Sequence, residues 1–178
     1  NDILNRMASD NEARQLSCSW GFYPVNDPAR DQIFQQFAAQ GQSFFQASGD
    51  NGAWGQGVFP PSDNPFITIV GGTTLETTGP GGGWSAETTW PGSGGGVSTN
   101  YNLPPWQQGL NMSANLGSPT LRNLPDVSAA ADAFFWVVAN NGEFFISAGT
   151  SASPPPWPGF AALALPPAPA PRPPPAGF

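Results

Sequence analysis

Residues 149–153 (GTSAS) could supply a nucleophile, in a chain of 178 residues that contains no histidine. A serine on a tight Gly-Thr turn at the start of a helix is well exposed for attack on a carbonyl carbon. Its hydroxyl becomes a nucleophile only when a base removes the proton, and that base is usually histidine. Ser151 is therefore either inert, within an ordinary turn that caps a helix, or activated by a carboxylate.

A carboxylate in a suitable place is Asp50, within residues 48–50 (SGD). It follows residues 43–47 (SFFQA), whose two aromatic side chains indicate a buried strand. Open α/β sheets place their reactive groups just beyond the carboxyl ends of the strands, which is where Asp50 falls.

Alternating strand and helix patterns predict the elements that would position these residues. Apolar spacing over residues 3–8 indicates a helix, and a strand is predicted to begin at residues 16–19. Asp27 and Pro28 are typical of a helix start, and Gly41 of a helix end. Strands at 43–47 and 67–70 then imply a parallel α/β sheet that brings Trp20, Gly21 and Asp50 to one edge.

The rest of the chain is predicted from turn signals. Residues 76–100 are rich in Gly and Thr without periodicity, and we expect a long surface loop there. Residues 140–142 (NNG) favour a hairpin between strands at 134–138 and 143–147. Proline inside a helix is costly, so Pro158 argues against a helix directly after Ser151. Residues 166–178 are rich in Pro and Ala and are read as an extended or disordered tail, or as a poorly determined helix.

Several segments, in order, resemble the sedolisin family of serine-carboxyl peptidases, which includes kumamolisin-like enzymes and tripeptidyl peptidases. The resemblance covers roughly residues 14–163. It is carried by motifs at residues 17–21 (SCSWG), 47–53 (ASGDNGA), 59–62 (FPPS), 70–75 (VGGTTL), 93–98 (SGGGVS), 104–107 (PPWQ), 122–129 (RNLPDVSA) and 149–153 (GTSAS).

This resemblance implies a subtilisin-like fold, in which a mostly parallel sheet is flanked by helices. It also implies roles for individual residues. Ser151 is the nucleophile, and Asp50 stabilises the oxyanion. Substrate-binding positions follow at Ser19, Trp20, Gly21, Gly149 and Thr150, with a peptide or protein as the substrate. Asp126 is expected to be structural, as a hydrogen-bond acceptor for backbone.

The resemblance further implies that residues 1–165 are only part of a peptidase domain. The family's base, a Glu oriented by an Asp, lies on a helix well upstream of the strand at Ser17, and 16 residues precede that strand here. We therefore expect this chain alone to be inactive, with the base supplied by a missing part or a separate upstream chain. The family's calcium site would lie beyond residue 178, so no cofactor or metal is expected within the chain.

Composition narrows the classes of partner. A net charge of −7 argues against nucleic acid and anionic membranes. No apolar stretch is long enough for a membrane helix. Cys18 has no cysteine partner in the chain and is expected to be a buried structural thiol. The low proportion of charged residues is typical of a protein that functions in acid, and the family resemblance implies secretion. The alternatives to a peptidase are a non-catalytic relative that binds peptides, or an extracellular structural domain.

Overall fold

The computed structural model describes residues 1–24, 27–55, 63–132 and 135–164. Their helices and strands are α1 (Asp2–Asp10), β1 (Gln15–Cys18), α2 (Pro28–Ala39), β2 (Ser43–Ala47), β3 (Thr68–Thr77), β4 (Trp84–Thr89), β5 (Gly96–Asn102), β6 (Leu121–Leu124), β7 (Val127–Ala130), β8 (Phe135–Ala139), β9 (Glu143–Ser147) and α3 (Pro156–Ala164). The motif at 59–62 and the tail at 166–178 lie outside the described residues.

The main sheet is mostly parallel, as the sequence predicts. β1 pairs with β2, β2 with β3 and β3 with β7, all in parallel, so their carboxyl ends share one edge. β4 is antiparallel to the second half of β3. Two further ribbons, β5–β6 and β8–β9, are antiparallel. The parallel strands therefore deliver the segments that follow β1 and β2 to the same place.

Helix α2 shows how local sequence builds the core. The Asp27 side chain accepts hydrogen bonds from two amides of the first turn, and Pro28 occupies the first helical position, as predicted. The helix ends at Ala39, and Gly41 follows in the left-handed region at φ 72°. Its aromatic side chains meet those of β2 in a cluster of Phe34, Phe37 and Phe44.

The prediction of a surface loop over residues 76–100 is wrong, because β4 and the first part of β5 fall within it. The side chains of β4 are almost all exposed, so the strand carries no alternation of apolar and polar residues. It forms because its backbone pairs with the extended end of β3, from Thr73 to Thr77. β3 and β4 form a hairpin around residues 78–83, and pairing of this kind is made by the backbone and leaves little signal in the side chains.

The predicted turn at residues 140–142 is confirmed. Asn140, Asn141 and Gly142 all have positive φ, at 50°, 66° and 102°, and they join β8 to β9. Residue 134, the first of the predicted strand, lies outside the described residues. Pro158 proves compatible with helix α3, because it is the third residue of that helix. Amide groups in the first turn have no partner within the helix, so proline removes no hydrogen bond there.

Candidate active site

A cleft of about 180 Å³ lies at the carboxyl ends of β1 and β2. The structure brings most of the predicted site residues together around it. The lining residues are Ser19, Gly21, Gln46, Ala47, Gly49, Asp50, Asn51, Thr150 and Ser151. Ser151 and Asp50 therefore face one small space although they are a hundred residues apart in the chain.

Asp50 is held from one side by Thr150. The amide nitrogen and the hydroxyl of Thr150 both donate to Oδ1 of Asp50, each at 2.7 Å. The same hydroxyl accepts a hydrogen bond from the amide of Gly49 at 3.0 Å. Because that hydroxyl has one proton, donated to Oδ1, its orientation is fixed. Thr150 is 1% exposed, so its side chain is buried against the carboxylate to which it donates.

Residue 149 has to be glycine for two reasons. Its φ of 148° is unfavourable for residues with a side chain. A Cβ atom there would also lie 2.9 Å from Oδ2 of Asp50. The Gly149 amide donates to the carbonyl of Ala131 at 2.7 Å, which anchors the turn to the end of β7. The second carboxylate oxygen of Asp50 thus lies directly against the turn that carries Ser151.

Ser151 is exposed in the centre of a short 3-10 turn, Thr150–Ala152. The turn is closed by the amides of Ala152 and Ser153, which donate to the carbonyls of Gly149 and Thr150. Ser153 is buried, and its hydroxyl donates to the carbonyls of Ala129 and Ala130. The backbone therefore presents the Ser151 side chain to the cleft and buries that of Ser153.

The segment after β1 is tied to the rest of the cleft. The hydroxyl of Ser19 donates to the carbonyl of Ser151 at 2.8 Å. The side-chain amide nitrogen Nε2 of Gln46 donates to the backbone carbonyl of Trp20 at 3.0 Å. Cys18 is half-buried, accepts from the amide of Trp20, and donates to its carbonyl. Burial raises the pKa of the Cys18 thiol against the lowering effect of the Trp20 backbone, which favours the unreactive protonated form.

Of the predicted site residues, Gly149 and Trp20 do not line this cleft. Gly149 lies beside the Asp50 carboxylate, whereas Trp20 borders another space. Its side chain is 79% exposed and borders a neighbouring groove of about 360 Å³ with apolar walls. That groove is lined by Ile3, Leu4, Met7, Ser17, Cys18, Trp20, Phe22 and Phe44. Gln46, which sequence reasoning missed, does line the cleft. The available signal was a polar residue within an otherwise apolar buried strand.

Among the described residues, Asp50 is the one carboxylate that lines the cleft, and no basic side chain lines it. Within the same residues, no group of three or more His, Cys, Asp or Glu side chains is placed to hold a metal ion. They also include no helix both long and apolar enough to cross a bilayer.

Comparison with curated proteins shows similarity to peptidases. The chain is 33% identical to sedolisin from Pseudomonas sp. strain 101, over 85% of its own length and 30% of that protein. It is 34% identical to kumamolisin from Bacillus sp. strain MN-32, over 79% of its length and 29% of that protein. It is also 34% identical to mouse tripeptidyl-peptidase 1, over 73% and 26% of the two chains. The chain thus spans under a third of these relatives.

The comparison with solved structures agrees with the comparison with curated proteins. Pseudomonas sedolisin, a serine-carboxyl proteinase complexed with pseudo-iodotyrostatin, matches with a TM-score of 0.71 and 31% identity. That match covers 90% of this chain and 51% of the sedolisin chain. Sphericase matches with a TM-score of 0.56 at 18% identity, which shows a similar fold alone. No family model matches the chain.

Proposed function

Because the chain belongs to the sedolisin family, we propose that it is the nucleophile-bearing part of a serine-carboxyl peptidase that cleaves peptide bonds in acid. The observation that carries the proposal is the convergence of Ser151, Asp50, Ser19 and Gly21 on one cleft. These 178 residues contain no histidine, so none of them can be the usual base, and the family resemblance implies a carboxylate in that role.

In the proposed reaction, the hydroxyl oxygen of Ser151 attacks the carbonyl carbon of the scissile peptide bond. A carboxylate base takes the hydroxyl proton and later delivers it to the leaving amine, and an acyl-enzyme remains on Ser151. Water then hydrolyses the acyl-enzyme and restores the serine. Neutral Asp50 donates a hydrogen bond to the oxyanion as negative charge develops on it.

Thr150 supports the proposed role of Asp50. Its two donors occupy Oδ1, so a proton on neutral Asp50 is best placed on Oδ2, the oxygen that lies against the Ser151 turn. A donor fixed in advance stabilises developing charge without reorganisation during the reaction. Thr150 would thus be a positioning residue for the carboxyl group that contacts the substrate.

The base is proposed to come from a part of the peptidase that these 178 residues do not include. The family resemblance puts it on a helix upstream of β1, as a Glu oriented by an Asp, and puts the calcium site downstream. The substrate is proposed to be an extended peptide alongside residues 19–21, and the peptidase to be secreted.

The pH–rate profile of the full-length protein tests this mechanism. Cleavage of an unfolded protein substrate should peak between about pH 3 and 5, where carboxyl groups are partly ionised. Activity should fade towards neutrality, because a carboxyl site loses its shared proton there. A peak at about pH 7–8 would mean that a base other than a carboxylate serves Ser151. Absence of Ser151-dependent cleavage at every pH would favour the non-catalytic alternative.

Replacing Thr150 with valine tests the positioning of Asp50. Valine removes the hydroxyl donor to Oδ1 but keeps the shape of the side chain and the amide donor. We expect kcat to fall about tenfold or more with little change in KM, because the oxyanion forms only after substrate is bound. Thr150→Ser, which keeps the hydroxyl, is the control and should retain most of kcat. Equal kcat values for the valine and serine variants would remove Thr150 from this role.

A further inference from the structure

Three consecutive prolines, residues 154–156, follow the turn that carries Ser151. A backbone carbonyl in a 3-10 turn accepts a hydrogen bond from the amide three residues later, and one in an α-helix from the amide four residues later. For the carbonyl of Ser151 those two residues are Pro154 and Pro155. Proline has no backbone N–H group, so neither can donate. The sequence therefore removes the usual helical donors at the nucleophile itself.

The backbone hydrogen bonds of this segment lie on either side of the Ser151 carbonyl. The carbonyls of Gly149 and Thr150 accept from the amides of Ala152 and Ser153 at 3.1 and 3.2 Å. Further along, the carbonyl of Pro154 accepts from the amide of Trp157 at 3.1 Å. These bonds close the turn before the nucleophile and the turn that enters α3, and they leave the Ser151 carbonyl to a donor from elsewhere.

The donor that reaches this carbonyl is the hydroxyl of Ser19, at 2.8 Å and 132 residues away in the chain. Ser19 directly follows β1 and lines the same cleft as Ser151. Its hydroxyl has one proton, which this bond uses, so towards a substrate the hydroxyl can only accept. The Ser19 side chain thus joins the nucleophile to the segment alongside which the peptide is proposed to lie.

This hydrogen bond is expected to affect position more than stability. Ser151 is exposed, so water can replace the Ser19 hydroxyl at the carbonyl, and its loss leaves no buried group unpaired. The carbonyl carbon and the side chain of Ser151 share one Cα atom, so movement of the carbonyl also moves the nucleophilic oxygen. A misplacement of about 1 Å between reacting atoms can lower a rate about 100-fold.

We propose that Ser19 is a positioning residue for the nucleophile, because its hydroxyl gives the Ser151 carbonyl the hydrogen bond that Pro154 and Pro155 cannot give. The inference rests on the proposed peptidase function. It assigns the Ser19 side chain to the nucleophile and leaves the backbone of residues 19–21 to the peptide. Ser19 would hold the nucleophile, as Thr150 holds the carboxyl group of Asp50.

Replacing Ser19 with alanine in the full-length protein tests the assignment. Cleavage of an internally quenched fluorogenic peptide at about pH 4, where carboxyl groups are partly ionised, gives kcat and KM. We expect kcat and kcat/KM to fall about tenfold to 100-fold with little change in KM, because the lost hydrogen bond is not made to substrate. The midpoint of urea unfolding should change little. Ser19→Thr keeps the hydroxyl and should retain most of kcat.

Ser17→Ala is the matched control, since it makes the same change two residues earlier, within β1. Ser17 is exposed and borders the apolar groove beside Trp20, away from the lining of the cleft. Its replacement should leave both kcat and KM unchanged.

Hydrogen exchange over residues 149–153 tests the same hydrogen bond without any cleavage. The amides of Ala152 and Ser153 close the turn, and they exchange only when it opens. Ser19→Ala should make their exchange about threefold to tenfold faster, the worth of about one neutral hydrogen bond. Ser17→Ala should leave their exchange as it is.

An unchanged kcat in Ser19→Ala would overturn the assignment, and so would a loss confined to KM. A Ser19→Thr variant as slow as Ser19→Ala would show that the hydroxyl is not the group that matters. Unchanged exchange in Ser19→Ala would reject the hold on the turn, even if that variant lost activity. Absence of cleavage by the protein with Ser19 and Ser151 intact would instead reject the peptidase function, so the two failures are distinguishable.

Discussion

Replacing Ser151 with alanine in the full-length peptidase is expected to lower kcat by about 10⁶-fold, the size of effect found when a catalytic serine is removed. The Ser151 side chain is exposed at the cleft and makes the acyl-enzyme in the proposed reaction. Alanine keeps the shape of the turn, because the hydrogen bonds that close it are all between backbone groups. Release of peptides from an unfolded protein in acid, followed by mass spectrometry, gives the measurement.

Ser153→Ala is the matched control, since Ser153 lies two residues away in the same segment. Its buried hydroxyl donates to the carbonyls of Ala129 and Ala130, away from the lining of the cleft. Its loss should lower the free energy of unfolding by about 1 kcal/mol and leave kcat nearly unchanged. If Ser151→Ala kept substantial activity, or if Ser153→Ala lost as much, Ser151 would not be the nucleophile.

Replacing Arg122 with leucine is expected to lower the free energy of unfolding by about 3–5 kcal/mol. The Arg122 side chain is 0% exposed. It donates to the backbone carbonyls of Asp63, Asn64 and Ile67, and it pairs with the Asp126 carboxylate at 2.5 Å.

Leucine would remove the Arg122 donor from these buried carbonyls and leave Asp126 without its counter-charge. The Asp126 carboxylate also accepts from the amide of Ile69 at 2.8 Å, as expected of a structural aspartate. Arg122 thus connects the segment that enters β3 to the turn between β6 and β7. Unfolding by urea, followed by tryptophan fluorescence, measures the loss of stability.

Arg6→Leu provides the control for this ion pair. Arg6 and Asp10 have the same i, i+4 spacing and a similar distance of 2.6 Å, but the Arg6 side chain is 78% exposed. Exposed pairs contribute little because water and salt screen them, so no measurable change is expected. If Arg122→Leu were no less stable than Arg6→Leu, burial of Arg122 would not be important for stability.

The sequence by itself determined the features that depend on neighbouring residues. Asp27 and Pro28 start α2, and residues 140–142 form the hairpin turn, because caps and turns are set by a few adjacent side chains. The order of the motifs also identified the family, which the comparisons support. Parallel strands with a common carboxyl edge followed from the alternation of strand and helix patterns.

Only the tertiary structure decided the features that join distant parts of the chain. β4 has a nearer partner: its backbone pairs with the strand just before it, β3, and its exposed side chains gave no local signal. The hydrogen bond from the Thr150 hydroxyl to Asp50 joins residues that are a hundred positions apart. The position of Gln46 on the cleft likewise depends on where residues 19–21 and 149–151 meet. The type of a residue and its spacing from other residues determine the chemistry that it can do. Its partners are decided by packing between elements that lie apart in the sequence.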